Sequence, residues 1–225
     1  MIVAIVKKDI RAGWFWMAGA TALFVGYAVM NLATWPAEFS LGRVVRPFAM
    51  LGIIDVDTRF PLVRFSEAAL LAMAYGVGFG LWHALPEVGG ASGFFFMRPC
   101  SRPRLAVGKL LGGTLMYWLP GVIGTVVAVA WCASASLSAP LEPWMTVGPL
   151  LVWLIGYMFY LSAVAAAWRP VRWYGGRLLP LVMPVPLGFL MLEVAPSMEV
   201  AWVIGAIYVV VLWMIDVYLL MRWEG

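Results

Sequence analysis

Three observations predict an all-α membrane protein. Hydrophobic residues make up 64% of the 225-residue chain. Charged residues make up only 12%, where a soluble domain carries about 25%. The mean hydropathy is +0.94. Too few charges remain to coat a water-soluble globule, so the solvent around most of this chain is lipid. The apolar residues also fall in long runs, each near the roughly 20 residues that one helical crossing needs.

The elements follow in chain order. Met1 to Ala12 place Ile2, Ile5 and Val6 near one helical face and Lys7, Lys8 and Arg11 among the polar positions. That pattern predicts an interfacial helix lying on the membrane surface; a basic tail that only orients the first span is the alternative. Six transmembrane helices are predicted next, at about 13–33, 65–85, 105–131, 147–167, 178–195 and 201–221. Together they form one transmembrane domain covering 1–225. The fifth is short and carries Pro180, Pro184 and Pro186. Proline is tolerated in membrane helices when neighbours satisfy the freed carbonyls, so a broken or partly re-entrant helix fits there. The connection Thr34–Arg64 holds an apolar stretch, Pro47–Ile54, too short to span. It is either a re-entrant element or a cap of paired Arg and Asp residues.

Orientation comes from the basic residues. With the amino terminus inside, the cytoplasmic set is Lys7, Lys8, Arg11, Arg98, Arg102, Arg104, Lys109, Arg169, Arg172, Arg177 and Arg222. The outer set is only Arg43, Arg46, Arg59 and Arg64. The positive-inside rule selects this arrangement and puts both termini in the cytoplasm. The formal charge of +4 therefore reports topology and does not call for a nucleic-acid partner. Tryptophans such as Trp14, Trp16, Trp82 and Trp168 fall near predicted span ends, where amphipathic rings favour the interface. Cys100 and Cys132 fall on opposite sides of the membrane in this topology, which argues against a disulfide between them.

Candidate chemistry is sparse. Asp216 lies inside the last span, and an ionisable residue at membrane depth is a functional candidate. About a turn and a half separates it from the cytoplasmic end, so reaching the interface or pairing with an Arg is the alternative. His83 is the only histidine and reads as an interfacial residue near the inner boundary. Alone it cannot build a zinc site, and no metal centre is expected. There is no Ser/His/Asp grouping and no HExxH, so an enzyme is not expected. Gly76 and Gly80 have GxxxG spacing, repeated by Gly108 and Gly112, which permits close helix approach. Gly108-Lys109 is followed by Leu110, so no phosphate-cradling loop is present.

The segment between the second and third spans has a specific order. Glu87 is followed by Gly90, the apolar Phe94–Met97, then Pro99, Ser101 and Arg102, with Lys109 entering the third span. This order resembles the ABC-2 type transporter permeases. The likeness extends to a basic amino-terminal interfacial helix, six spans and two cytoplasmic termini. It implies a permease subunit of a bacterial inner-membrane ABC transporter, an exporter component working as a homodimer or heterodimer. Separate ATPase subunits would bind ATP and Mg, and no cofactor is expected in this chain. In that family the corresponding cytoplasmic loop is the coupling helix that docks on the ATPase. Carried onto this chain, the coupling region comprises Glu87, Phe94, Phe95, Phe96, Arg98, Arg102, Arg104 and Lys109. Lys7, Lys8 and Arg11 correspond to the interfacial connecting helix. The chain departs from the family in its glycine-rich Glu87–Gly93 and in the brief connection around Pro196–Glu199. An ion-coupled secondary transporter or channel is the alternative, as is a non-transporting subunit of a larger membrane complex.

Overall fold

The computed structural model describes residues 2–49, 65–86, 101–134, 147–169, 174–191 and 198–222. The all-α character is as expected, since every element among them is helical: α1 (Ile2–Ala49), α2 (Phe65–Pro86), α3 (Arg102–Ser134), α4 (Val147–Trp168), α5 (Tyr174–Val182), α6 (Pro184–Phe189) and α7 (Met198–Arg222).

Helix α4 is the axis of the bundle. Its sequence is apolar on every face, which suits either lipid or the centre of a bundle, and here neighbouring helices cover it. Every residue from 151 to 168 is buried. Helix α2 forms the most extensive contact with it, and α7, α5 and α3 cover other sides. Helix α1 packs chiefly on α3 and only lightly on α2.

Side-chain register fixes the directions. Asp9, Gly13 and Phe24 of α1 face Gly112, Met116 and Gly124 of α3, so these two helices run parallel. Ala72, Gly76 and Gly80 of α2 face Gly156, Tyr160 and Ala163 of α4, a second parallel pair. Thr114 and Tyr117 of α3 meet Tyr157 and Trp153 of α4 in antiparallel order. The bundle is thus two parallel pairs, α1–α3 and α2–α4, laid against each other.

Six spans are not carried by the described residues. Three segments there are long and apolar enough to cross a membrane: Pro103–Val127, Gly148–Trp168 and Glu199–Arg222. The apolar part of α2, Ala68–Ala84, is shorter. The expected fifth span is divided into α5 and α6 at Met183. Pro184 has no N–H to continue the α5 ladder and stands at the start of α6, where none is needed. The apolar run across that break, Leu178–Phe189, is also too short.

A separate interfacial helix at the amino terminus is likewise not observed. Helix α1 runs unbroken from Ile2 through the expected boundary at Gly13 and past Thr34 to Ala49. Its 48 residues extend about 72 Å at the α-helical rise, well beyond the roughly 30 Å hydrocarbon layer. The reason is local. Ile5, Gly13 and Ala20 are buried on one face, which holds the amino end of α1 against the bundle instead of along a surface.

Candidate functional site

A row of interior polar groups lies along the seam between the two helix pairs. On α4, Trp153, Tyr157 and Tyr160 recur at i, i+4 and i+7, which aligns them on one helical face. On α2, Tyr75, Phe79 and His83 recur at i, i+4 and i+8. Their rings form a continuous stack. Phe79 lies against His83 at 5.8 Å and 12°, against Tyr75 at 5.6 Å and 15°, and against Tyr160 at 5.4 Å and 22°. Tyr157 stacks on Tyr160 at 5.7 Å and 14°. Such pairs add to area burial by about 0.5–1.5 kcal/mol each.

The hydroxyls of this stack carry the polar contacts. The Tyr157 hydroxyl lies 2.7 Å from Thr114 Oγ1 of α3 and accepts from Trp213 Nε1 of α7 at 2.7 Å. Tyr117 donates to the Trp153 carbonyl at 3.2 Å. The Tyr160 hydroxyl is 3.0 Å from His83 Nδ1. The other ring nitrogen, His83 Nε2, faces Asp9 Oδ2 of α1 at 3.7 Å. That separation is beyond hydrogen-bond reach. Neither atom has another protein hydrogen-bond partner among the described residues.

Glycines of α3 make room for this row. A Cβ at Gly112 would lie 3.0 Å from Asp9 Oδ2. A Cβ at Gly113 would overlap the Tyr160 hydroxyl and sit 2.6 Å from His83 Cε1. One at Gly121 would overlap the Trp153 ring. The Gly112-Gly113 pair is therefore the recess in which Asp9, His83 and Tyr160 meet. Any side chain there would fill it.

The sequence-derived candidates divide into three groups. Glu87, Phe94, Phe95, Phe96 and Arg98 lie outside the described residues. Arg102 opens α3, with Ser101 just before it accepting backbone N–H bonds from Arg104 and Leu105. Arg104 is exposed, Lys109 is half-buried, and Lys7, Lys8 and Arg11 are exposed at the amino end of α1. Parallel packing of α1 on α3 brings these basic residues to the same end of the bundle.

Asp216 differs from both alternatives raised by the sequence. It does not reach the surface, and it pairs with no Arg among the described residues. Its side chain is fully buried, and neither carboxylate oxygen has a protein hydrogen-bond partner among the described residues. Arg222 instead sits over the Tyr218 ring at 5.0 Å. Asp216 follows Leu212 and Trp213 by four and three residues, so it lies on the buried face of α7 that meets Tyr157.

His83 is also corrected. It is 4% exposed and enclosed between its own helix and α1, α3 and α4, so it is not interfacial. Trp168 is buried as well. Asp9, Tyr157, Tyr160 and Thr114 were not singled out from sequence. The available signal was an acidic residue within Lys7–Arg11 sharing a helical face with Ile5 and Gly13. Among the described residues no group of three potential ligands could hold a metal ion.

Comparison of the chain with family models, with curated proteins and with solved structures found no match.

Proposed function

We propose that this chain is the membrane-embedded subunit of an ATP-driven transporter of the ABC-2 permease kind. In this reading it acts as an exporter component, pairs with a second permease subunit and docks on separate ATPase subunits. One observation carries it: the two basic segments matched to the coupling apparatus share an end of the bundle. Lys7, Lys8 and Arg11 on α1 lie alongside the start of α3, which holds Arg104 and Lys109. Helix α2 ends there too, so the loop joining α2 to α3 leaves from and returns to that same end. A basic end of this kind faces the cytoplasm under the positive-inside rule. Force applied to the loop would act directly on α2 and α3, one member of each helix pair.

Co-purification tests the reading. The tagged chain is expressed with candidate stand-alone ABC ATPases and extracted in detergent. One of them is expected to co-purify, and Arg98→Glu with Arg102→Glu is expected to release it while the chain still inserts. Full transport by the purified chain with no ATPase present overturns the proposal.

Asp216 favours a second reading, ion-coupled transport, because a buried intramembrane carboxylate is costly and such residues mark ion pathways. Loss of ion-gradient-driven flux in Asp216→Asn, in vesicles lacking ATP, would select it.

A further inference from the structure

We infer that Asp9, His83 and Tyr160 form a proton-operated clasp that closes the seam between the α1–α3 pair and the α2–α4 pair. The clasp acts within the bundle alone, whatever partner the chain recruits.

The position of the row is the first ground. Helix α1 is packed mainly on α3 and helix α2 mainly on α4, while α1 and α2 touch only lightly. The α3–α4 side of the seam is joined by the Thr114–Tyr157 and Tyr117–Trp153 hydrogen bonds. On the α1–α2 side, the polar approach shown is Asp9 Oδ2 to His83 Nε2, at 3.7 Å. One side is hydrogen-bonded, and the other is almost closed.

The second ground is that the imidazole is held for this contact. Its plane is fixed by stacking on Phe79. Its Nδ1 is engaged by the Tyr160 hydroxyl at 3.0 Å. What remains is Nε2, aimed across the seam at a carboxylate. Asp9 is held for it too. It projects from the Ile5–Asp9–Gly13 face, whose other two members are buried, into space left by Gly112.

The third ground is the gap itself. In the neutral tautomer whose Nδ1–H donates to the Tyr160 hydroxyl, Nε2 is bare opposite the Asp9 carboxylate; protonation places the second N–H, and a positive charge, at Nε2. A charge-assisted N–H···O bond is about 2.7–2.9 Å long. Protonation of His83 would therefore draw the amino end of α1 toward α2 by about 1 Å. Deprotonation would relax it to the separation observed. The charged and titratable groups facing the ring are Asp9 from α1, Lys109 from α3 and Tyr160 from α4.

The full-length chain in lipid nanodiscs provides the test. His83 is the only histidine, so selective labelling with nitrogen-15 histidine yields one imidazole. Nuclear magnetic resonance is expected to show it passing from a single neutral tautomer to the doubly protonated form as the sample is taken from alkaline to acid pH. A ring that stays neutral throughout overturns the clasp, and this measurement needs no variant.

Closure is read separately. In a chain carrying Cys100→Ser and Cys132→Ser, a cysteine at buried Ile5 is labelled with a membrane-impermeant maleimide. Rates are divided by those of a cysteine at exposed Val3, which removes the pH dependence of the thiol. The normalised rate is expected to fall about tenfold from alkaline to acid pH, the factor that one charge-assisted hydrogen bond contributes to a local opening. Asp9→Asn and His83→Gln are each expected to erase that dependence. A rate independent of pH in the parent chain, or a dependence that survives both substitutions, overturns the proposal.

Discussion

The α2–α4 contact and the seam between the helix pairs use the same residue, glycine, for opposite purposes. In α2, Gly76 and Gly80 face the backbone of α4: a Cβ at Gly76 would overlap the Gly156 carbonyl, and one at Gly80 would lie 2.6 Å from the Tyr160 carbonyl. There glycine lets two helices touch. In α3, Gly112, Gly113 and Gly121 face the side chains of Asp9, Tyr160, His83 and Trp153. There glycine leaves pockets for large or polar groups. The first contact is close-packed main chain with no room to adjust. The second is a layer of rings and hydroxyls whose members can turn. Relative movement inside this bundle is therefore expected along the seam and not between α2 and α4.

The strongest challenge to that contrast is a side chain placed between α2 and α4. Gly156→Leu would press on the Ala72 carbonyl, 2.5 Å from an added Cβ, and on the Tyr117 hydroxyl. Backbone cannot yield as a side chain can, so a loss of 3 kcal/mol or more, roughly the upper end for overpacking, is expected. Size-exclusion chromatography in detergent should show the variant aggregated; a monodisperse, thermally unchanged protein breaks the contrast.

At the seam the equivalent insult should be milder. Gly113→Ala is expected to cost about 1–3 kcal/mol, because the Tyr160 hydroxyl and the His83 ring can shift. A shift in the single histidine resonance should accompany it. Damage equal to that of Gly156→Leu in the same chromatographic and thermal assay would show that the seam is no more adjustable than the α2–α4 contact.

Removing one seam hydroxyl sharpens the estimate further. Tyr157→Phe leaves Trp213 Nε1 without its acceptor, while Thr114 keeps its bond to the Leu110 carbonyl. A loss of about 1–2 kcal/mol, typical of one buried donor left unpaired, should appear as a lower thermal midpoint.

The smallest change expected in stability is at Asp216. Its carboxylate has no protein hydrogen bond among the described residues to lose, and its desolvation is unfavourable. Asp216→Leu should therefore be neutral or stabilising by about 1 kcal/mol. Loss of transport in that stable variant would assign Asp216 to function, whereas a marked loss of stability would reveal a structural role.

The helices were legible in the sequence because apolar length is a one-dimensional property. The expected third, fourth and sixth spans match α3, α4 and α7 to within a few residues. Their long apolar runs leave the backbone no water to bond with, so the groups pair along the helix. The break in the fifth was legible for a similarly local reason, the missing N–H of Pro184. The GxxxG spacing of Gly76 and Gly80 correctly marked close packing, but not its partner.

At the amino terminus the basic residues dominate the local pattern. Lys7, Lys8 and Arg11 suggested a surface helix, while Asp9 between them was overlooked. What places Asp9 is the recess at Gly112 and Gly113 on α3, together with His83 on α2. Asp9, His83 and the Gly112-Gly113 pair are far apart in sequence and belong to three different helices.

By itself, the sequence determined a strongly apolar, helix-forming chain, where most of its described helices begin and end, and which residues are basic. Those properties follow from transfer free energies and backbone hydrogen bonding, which act residue by residue along the chain. Only the tertiary structure decided that α4 is the enclosed axis, that the helices form two parallel pairs, and that Asp9, His83 and Tyr160 meet at the seam between them. Those outcomes depend on which faces approach closely enough to touch, and the distance between two helix faces is written nowhere in either helix alone.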